Sequence, residues 1–473
     1  MPNILANLML AVWPVVTVIL FRRLSLPQAL VICLVSGFLI LPPPPAAFDF
    51  PLLPPLDKHS IPALTALMMA IATYGLRKSV LPDTLLGKAL MLIFIFSPIA
   101  TVITNTEPVR WGDVLHLPGL LVTDAIALTL TQILIFIPFV LARQYLVEAA
   151  SQRMVLVVLM WAGFAYSFPA LLETRLSPQL NIWIYGYFQH DFAQTMRFGG
   201  WRPTVFLYHG IWLAFFGMMA LTAAAALFKF EKKRKLMYAG LTLWLGASLV
   251  LYKSLGAMLF AAALIPVVLL FGVRAQLKVA ALVALLAIGY PMLKAVDMIP
   301  SERLLAAAAS IETERANSLK FRFDNEDMLL ERAYEKPVFG WGSWGRNMIY
   351  NDITGAIETI TDGRWIIVMG KYGWLGFLAE FGLLVLPIFL LWREMLARKP
   401  DEISPFVGPL TLMLAANAAE LVPNATLTPL TWLLSGALMG YAETLRRERL
   451  RLREDAPKGR NSRFALKWRP VME

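Results

Sequence analysis

The sequence predicts an all-α, polytopic transmembrane bundle of about thirteen helices, with one large, partly helical loop on its outer face. Three observations predict this. The chain is 58% hydrophobic and only 16% charged, where a soluble globular chain carries about 25% charged residues. Apolar segments of the length that crosses a bilayer, roughly 20 residues, recur from end to end. The basic residues, which give a net charge of +11, sit in short clusters between alternate apolar segments. That is the positive-inside pattern, not the contiguous basic face of a nucleic-acid-binding protein.

Spans are expected near residues 4–21, 25–42, 60–76, 84–103, 121–142, 154–171, 204–228, 236–252, 255–273, 277–295, 372–392, 404–422 and 427–444. The order of charge around the first segment argues against a cleaved signal peptide, because Arg22 and Arg23 follow the apolar run. With thirteen spans, Arg22/Arg23, Arg77/Lys78, Arg143 with Arg153, Glu231–Lys235, Arg274 with Lys278, Arg393–Lys399 and the tail from Arg446 all fall on one side. The rule assigns that side to the cytoplasm, with the amino terminus outside. The expected organisation is therefore ten helices within 1–296, a periplasmic loop over 297–371, three helices within 372–445 and a basic cytoplasmic tail over 446–473. Cys33 is the only cysteine, so neither an intrachain disulfide nor a cysteine-based metal site is expected. No fixed-period repeat is visible.

The other side receives the long loops: the Pro-rich stretch 43–59, expected to be extended, then 105–120, the aromatic-rich 173–203, 297–371 and 423–426. Charged residues lie in or near helix ends facing this side: Asp124, Lys253, Lys294, Glu380 and Glu420. Each costs about 2.5–3.5 kcal/mol at the centre of a membrane helix, so they either snorkel to the interface or line a polar cavity that opens outward. Arg197-Phe-Gly-Gly-Trp-Arg-Pro203, followed by His209, sets two guanidinium groups beside flexible glycines at a helix entrance. Guanidinium forks suit a diphosphate; the plainer reading is an interfacial anchor, and for His209 a helix-packing residue. The long loop adds Arg315, Arg322 and the acidic run Asp324–Asp327. No HExxH, Walker A or GxSxG pattern occurs.

The loop pattern Arg322…Glu331-Arg-Ala…Lys336-Pro-Val-Phe-Gly-Trp-Gly342 resembles the O-antigen ligase and O-antigen polymerase family of bacterial membrane glycosyltransferases. That family shows an arginine, an amphipathic helix and a Pro-x-x-Gly-x-Gly turn. Downstream it has His-Asn or His-Ser, nine residues and Gly-x-x-Gly. Here Asp362-Gly363 and nine residues precede Gly373-Trp-Leu-Gly376, with aspartate in place of histidine. Lys253-Ser254-Leu255-Gly256-Ala257 is similar to the family's Ser-Arg-Gly-Ala corner with the cation displaced. The resemblance covers residues 197–376 and the topology.

It implies transfer of a glycan from an undecaprenyl-diphosphate carrier to a sugar hydroxyl, at the periplasmic face of the inner membrane, without a metal or other cofactor. Arg202 and Arg322 would hold the diphosphate, assisted by Arg197, Lys253, Arg315 and His209. Asp362 would be the general base, oriented by Arg364, with Glu335 and Asp324 in reserve; Asp-Gly is equally a common turn pair. The missing histidine favours a polymerase for exopolysaccharide or O-antigen over a ligase acting on lipid A-core. The expected partners are the lipid-linked oligosaccharide, membrane lipids and other polysaccharide-assembly proteins, with no nucleic acid. A flippase or a scaffolding factor is the competing class, disfavoured because the membrane charges gather toward one face.

Overall fold

The computed structural model describes residues 1–76, 79–197, 199–310 and 313–454, without the side chains of 313–315, 453 and 454. Arg77, Lys78, the side chain of Arg315 and the tail from 455 onward therefore lie outside the described residues. Sixteen α-helices occur among them: α1 (Ile4–Arg23), α2 (Leu26–Ile40), α3 (Ser60–Tyr74), α4 (Leu85–Ile103), α5 (Val122–Tyr145), α6 (Ala149–Leu176), α7 (Leu180–Tyr185), α8 (Gly210–Phe230), α9 (Lys235–Leu251), α10 (Leu255–Leu270), α11 (Val273–Ala295), α12 (Ser301–Ala309), α13 (Thr313–Tyr334), α14 (Arg364–Leu396), α15 (Val407–Glu420) and α16 (Pro429–Glu454). Two small hairpins complete the described elements, β1 (Val109–Trp111) with β2 (Leu115–Leu117) and β3 (Met196–Arg197) with β4 (Gly200–Trp201).

Every expected span contains a helix, and α7, α12 and α13 lie in the loops between them. Seven helices, α1, α4, α5, α6, α8, α11 and α14, are long and apolar enough to cross a membrane. The chain is a membrane protein. Three of the differences from the sequence reading lie at the loop end. Helix α8 starts at Gly210, because residues 204–209 form turns before His209 caps the helix. The Pro-rich stretch turns at Pro44–Pro45 and closes a bridge between Phe48 and Leu56 instead of staying extended. Helix α14 begins at Arg364, inside the stretch read as loop.

A helix that is apolar all round belongs inside a bundle, and α8 is that helix, buried almost continuously from Leu213 to Leu227. Its alanine-rich stretch admits close neighbours: a Cβ on Gly163 of α6 would collide with Ala220. The spacing Gly436-x-x-x-Gly440 does the same for α16, whose two glycines lie against the Phe139 and Arg143 carbonyls of α5. Small residues four apart are how membrane helices approach when no hydrophobic force separates them from lipid.

The charged ends sort by contact. Arg143 is fully buried and donates to Glu443 (2.9 Å), while Asp83 accepts from Arg143 and pairs with Arg447. Arg449 forks onto Glu394, Arg398 pairs with Glu448, and Arg274 donates to the Arg398 carbonyl. Arg153 pairs with Glu231. The predicted basic clusters around Arg143, Arg153, Glu231, Arg274 and Arg393 thus meet at one end of the bundle. The long loops meet at the other end, where Lys58 donates to Phe206 O, Arg364 N–H to Leu421 O and Tyr334 to Ala295 O.

Candidate functional site

The site is assembled at the loop end from three stretches of chain. The first is the β3–β4 hairpin. Its exit is pinned from α6, where the buried Glu173 carboxylate accepts from the N–H groups of Thr204 (2.8 Å) and Val205 (2.7 Å). Arg202 N–H donates back to Thr195 O. The Arg202 side chain then lies across Gly210, where a Cβ would come 2.6 Å from its Cδ. Its Nη2 donates to Ser254 Oγ (3.2 Å), and its Nε is buried with no partner among the described residues. Burial, with Arg197 nearby, pushes the Arg202 guanidinium down to about 10. A buried guanidinium with an unmade hydrogen bond calls for a partner, and its planar fork suits an anion.

The second stretch is the α9–α10 corner. Lys253 sits there with φ of +54°, which swings its side chain back across the hairpin. Its Nζ occupies the space that a Cβ on Gly200 would need. Ser254, next in the chain, holds Arg202.

The third stretch runs from α13 to α15. Arg322 and Asp362 are paired, Nε to Oδ2 at 3.4 Å, and both are about 40% exposed (38% and 41%). Asn325, one turn on and buried, accepts from Ile360 N–H (2.7 Å), which sets the approach to Asp362. Glu326 accepts from Tyr290 (2.7 Å), and burial raises its carboxyl above the ordinary range. Glu420 closes α15 with 3% exposure, accepts from Asn424 (2.8 Å) and lies within electrostatic reach of both Arg202 and Arg322. Two arginines 120 positions apart thus act electrostatically on one shielded carboxylate, with their direct contacts made elsewhere, to Ser254 and Asp362.

Two motifs from the sequence are stitched together beneath this cluster. In the Pro337–Gly342 turn, Gly340 and Gly342 have φ of +68° and +87°. Trp341 N–H donates to Gly370 O, Gly342 N–H to Lys371 O and Trp374 N–H to Pro337 O. At Gly373, φ is +66° and α14 breaks into two helical pieces. A straight helix would hold Arg364 and Glu380 about 24 Å apart; across the bend, Arg364 forks onto the fully buried Glu380 with both contacts at 2.7 Å.

Several expected roles change with this geometry. Arg364 is committed to Glu380 and does not orient Asp362. His209 Nδ1 accepts from Ile211 N–H as the cap of α8, and burial beside Arg202 pushes the imidazole down to about 3. Accepting that N–H with burial favouring its neutral form, it serves as a helix cap, not as a cation for phosphate. Arg197 stays exposed on β3 beside Arg202. The reserve carboxylates are surface partners, Asp324 of Lys320 and Glu335 of Arg332. Asp124 caps α5 through Leu121 N–H, and Lys294 binds Asp327 (2.6 Å).

Among the described residues no group of three or more His, Cys, Asp or Glu side chains is placed to hold a metal ion. The fold and the site define a polytopic membrane protein with a cationic, carboxylate-bearing cluster at one end. No family model and no curated protein matches the chain.

Proposed function

We propose that this protein is a polysaccharide polymerase of the bacterial inner membrane. In this reading it crosses the bilayer thirteen times and moves glycan from an undecaprenyl-diphosphate carrier to a sugar hydroxyl at the periplasmic face. The observation that carries the reading is the pair of cations at the loop end of the bundle: Arg202, buried with Nε unpartnered among the described residues, and Arg322, paired with Asp362, both within electrostatic reach of Glu420. A lipid diphosphate enters sideways from the bilayer, so its head group arrives at this level. There Arg202 and Arg322, with Lys253 and Arg197 beside them, take the place of a metal in stabilising the departing diphosphate.

The acceptor oxygen attacks the anomeric carbon, and the bond from that carbon to the phosphate oxygen breaks with its electron pair leaving on the diphosphate. The acceptor proton passes to a carboxylate. Asp362 and Glu420 are the two candidates. Asp362 is open to water and paired with Arg322, whereas Glu420 is shielded, which favours Glu420 as the base and Asp362 as the residue that holds Arg322.

The test is incubation of the purified protein with a lipid-diphosphate oligosaccharide. Longer glycan on the carrier is the expected product. Glycan on a lipid A-core acceptor would instead mean ligation, and unchanged linkages would mean transport or scaffolding. Arg322→Ala and Glu420→Gln should each lower chain extension by about 10²–10⁴-fold with the protein still in the membrane. Asp362→Asn should cost less than Glu420→Gln; the reverse order returns the base to Asp362.

A further inference from the structure

Beside the charged cluster lies a cavity of about 350 Å³, bounded by the start of α3, the middle of α5, Trp212 of α8, Arg364 of α14 and the first turn of α16. Its volume is at the lower end of the roughly 300–1,000 Å³ range of small-molecule pockets. It is recessed: α16 meets α5 at Thr131–Pro138, and Thr131 is about 14 Å along α5 from Val122 at a rise of 1.5 Å per residue. The chain entering α16, Leu427–Pro429, forms part of its wall and continues from Glu420 through Asn424. Arg364, also in the wall, is two residues from Asp362 and donates its N–H to Leu421 O. The cavity and the cationic cluster share these two segments.

The lining distinguishes between ligand classes. Two of its residues carry a buried polar atom with no partner among the described residues, His59 Nδ1 and Trp432 Nε1. Buried polar atoms without partners are few in native structures and call for an explanation, such as a bound group. The indole of Trp212 and the imidazole of His59, with centroids 5.8 Å apart, line it together with Ser60, Thr131 and Thr428, whose hydroxyls each already bond within the chain, to Asp57, Ala127 O and Thr431. The one cation in the wall, Arg364, is neutralised by Glu380, and Asp57 adds a carboxylate, so a second phosphate is not favoured. A larger cavity of about 620 Å³ between α2 and α6 is lined mainly by Leu, Ile, Val and Met and suits an acyl chain. Aromatic faces with isolated hydrogen-bonding atoms and no unpaired cation suit a neutral, hydroxyl-rich ring.

We propose that this recess is a sugar-binding subsite that seats the acceptor end of the glycan next to the cluster around Glu420. As an acceptor subsite it rests on the transferase reading; as a sugar site it stands on its own lining. The probe is the free oligosaccharide released from the lipid-linked donor, titrated against the full-length protein in nanodiscs by saturation-transfer NMR, alongside the transfer assay.

Binding to the unmodified protein is expected, weakened at least tenfold in both His59→Ala and Thr428→Val. Undecaprenyl diphosphate binding should stay within threefold, and the acceptor KM should rise with kcat nearly unchanged. Two mild variants guard against misfolding, and retained diphosphate binding reports an intact fold. Oligosaccharide that fails to bind, binds equally to both variants, or is displaced by undecaprenol alone overturns the subsite. Variant-sensitive oligosaccharide binding without any transfer by the unmodified protein leaves a sugar site standing and removes the polymerase reading.

Discussion

Two buried arginines, one at each end of the bundle, are held in opposite ways. At the end where the basic clusters meet, Arg143 is fully buried yet saturated by Glu443, Asp83 and the carbonyls of Ser79 and Val80, and Glu394 accepts a two-pronged contact from Arg449. At the loop end, Arg202 is almost as buried but has one N–H unmade, and Glu420 faces two guanidinium groups while hydrogen-bonded to an amide. A buried ion pair with every lone pair answered fixes geometry. The contrast lies between these two arginines and not between whole ends, since Arg398 Nε and Arg447 Nη2 at the first end are also buried without a partner among the described residues. Around Arg143 the bonding is complete and fixes architecture; around Arg202 it is incomplete, and the proposed diphosphate site uses that difference.

Substitutions that treat the two arginines alike would break this contrast. The largest effect on stability is expected for Arg143→Ala, which strands Glu443 and should cost about 3–5 kcal/mol, read as thermal unfolding in detergent. Replacing both partners by leucine should recover most of that loss. Arg202→Ala should behave differently: transfer falls by about 10²–10³-fold, while the unfolding midpoint holds or rises because a stripped charge is gone. A large drop in that midpoint would make Arg202 structural and erase the distinction between the two arginines.

Gly373→Ala tests the link between loop and bundle. It forces a side chain onto φ of +66° and against Val338 O, at about 1–3 kcal/mol. It should also loosen Arg364 from Glu380, so that adding Glu380→Gln costs less stability in the Gly373→Ala background than in the unmodified protein. The smallest effect belongs to Lys320→Ala, whose partner Asp324 is half-exposed. A solvated i,i+4 pair on α13 is worth under about 0.5 kcal/mol.

Much of the helical frame was legible because apolar length is a strong signal and the basic clusters report which helix ends lie together. Arg202, Arg322 and Lys253 stand out in the sequence as candidates because a cation near a membrane helix end needs a reason to be there. The start of α14 was not. Gly373 reads as a helix entrance, whereas it is a bend inside one, and the difference lies in contacts from Pro337–Gly342 that no local window contains. Glu420 registered only as an expensive charge, since its meaning depends on residues about 100 and 220 positions away. His59 gave no signal, because a histidine after a lysine in a Pro-rich loop is ordinary until its neighbours are known.

The three hydrogen bonds between the Pro337–Gly342 turn and the bend at Gly373 have a mechanical consequence. They leave the loop's return path no swivel of its own where it re-enters the bundle. A displacement of the Trp341 turn has to carry Gly370–Trp374 along. That segment leads straight into the helix whose Glu380 holds Arg364. Movement of the turn and the set of α14 are thereby geared to one another, with the glycines at 340, 342 and 373 as the teeth.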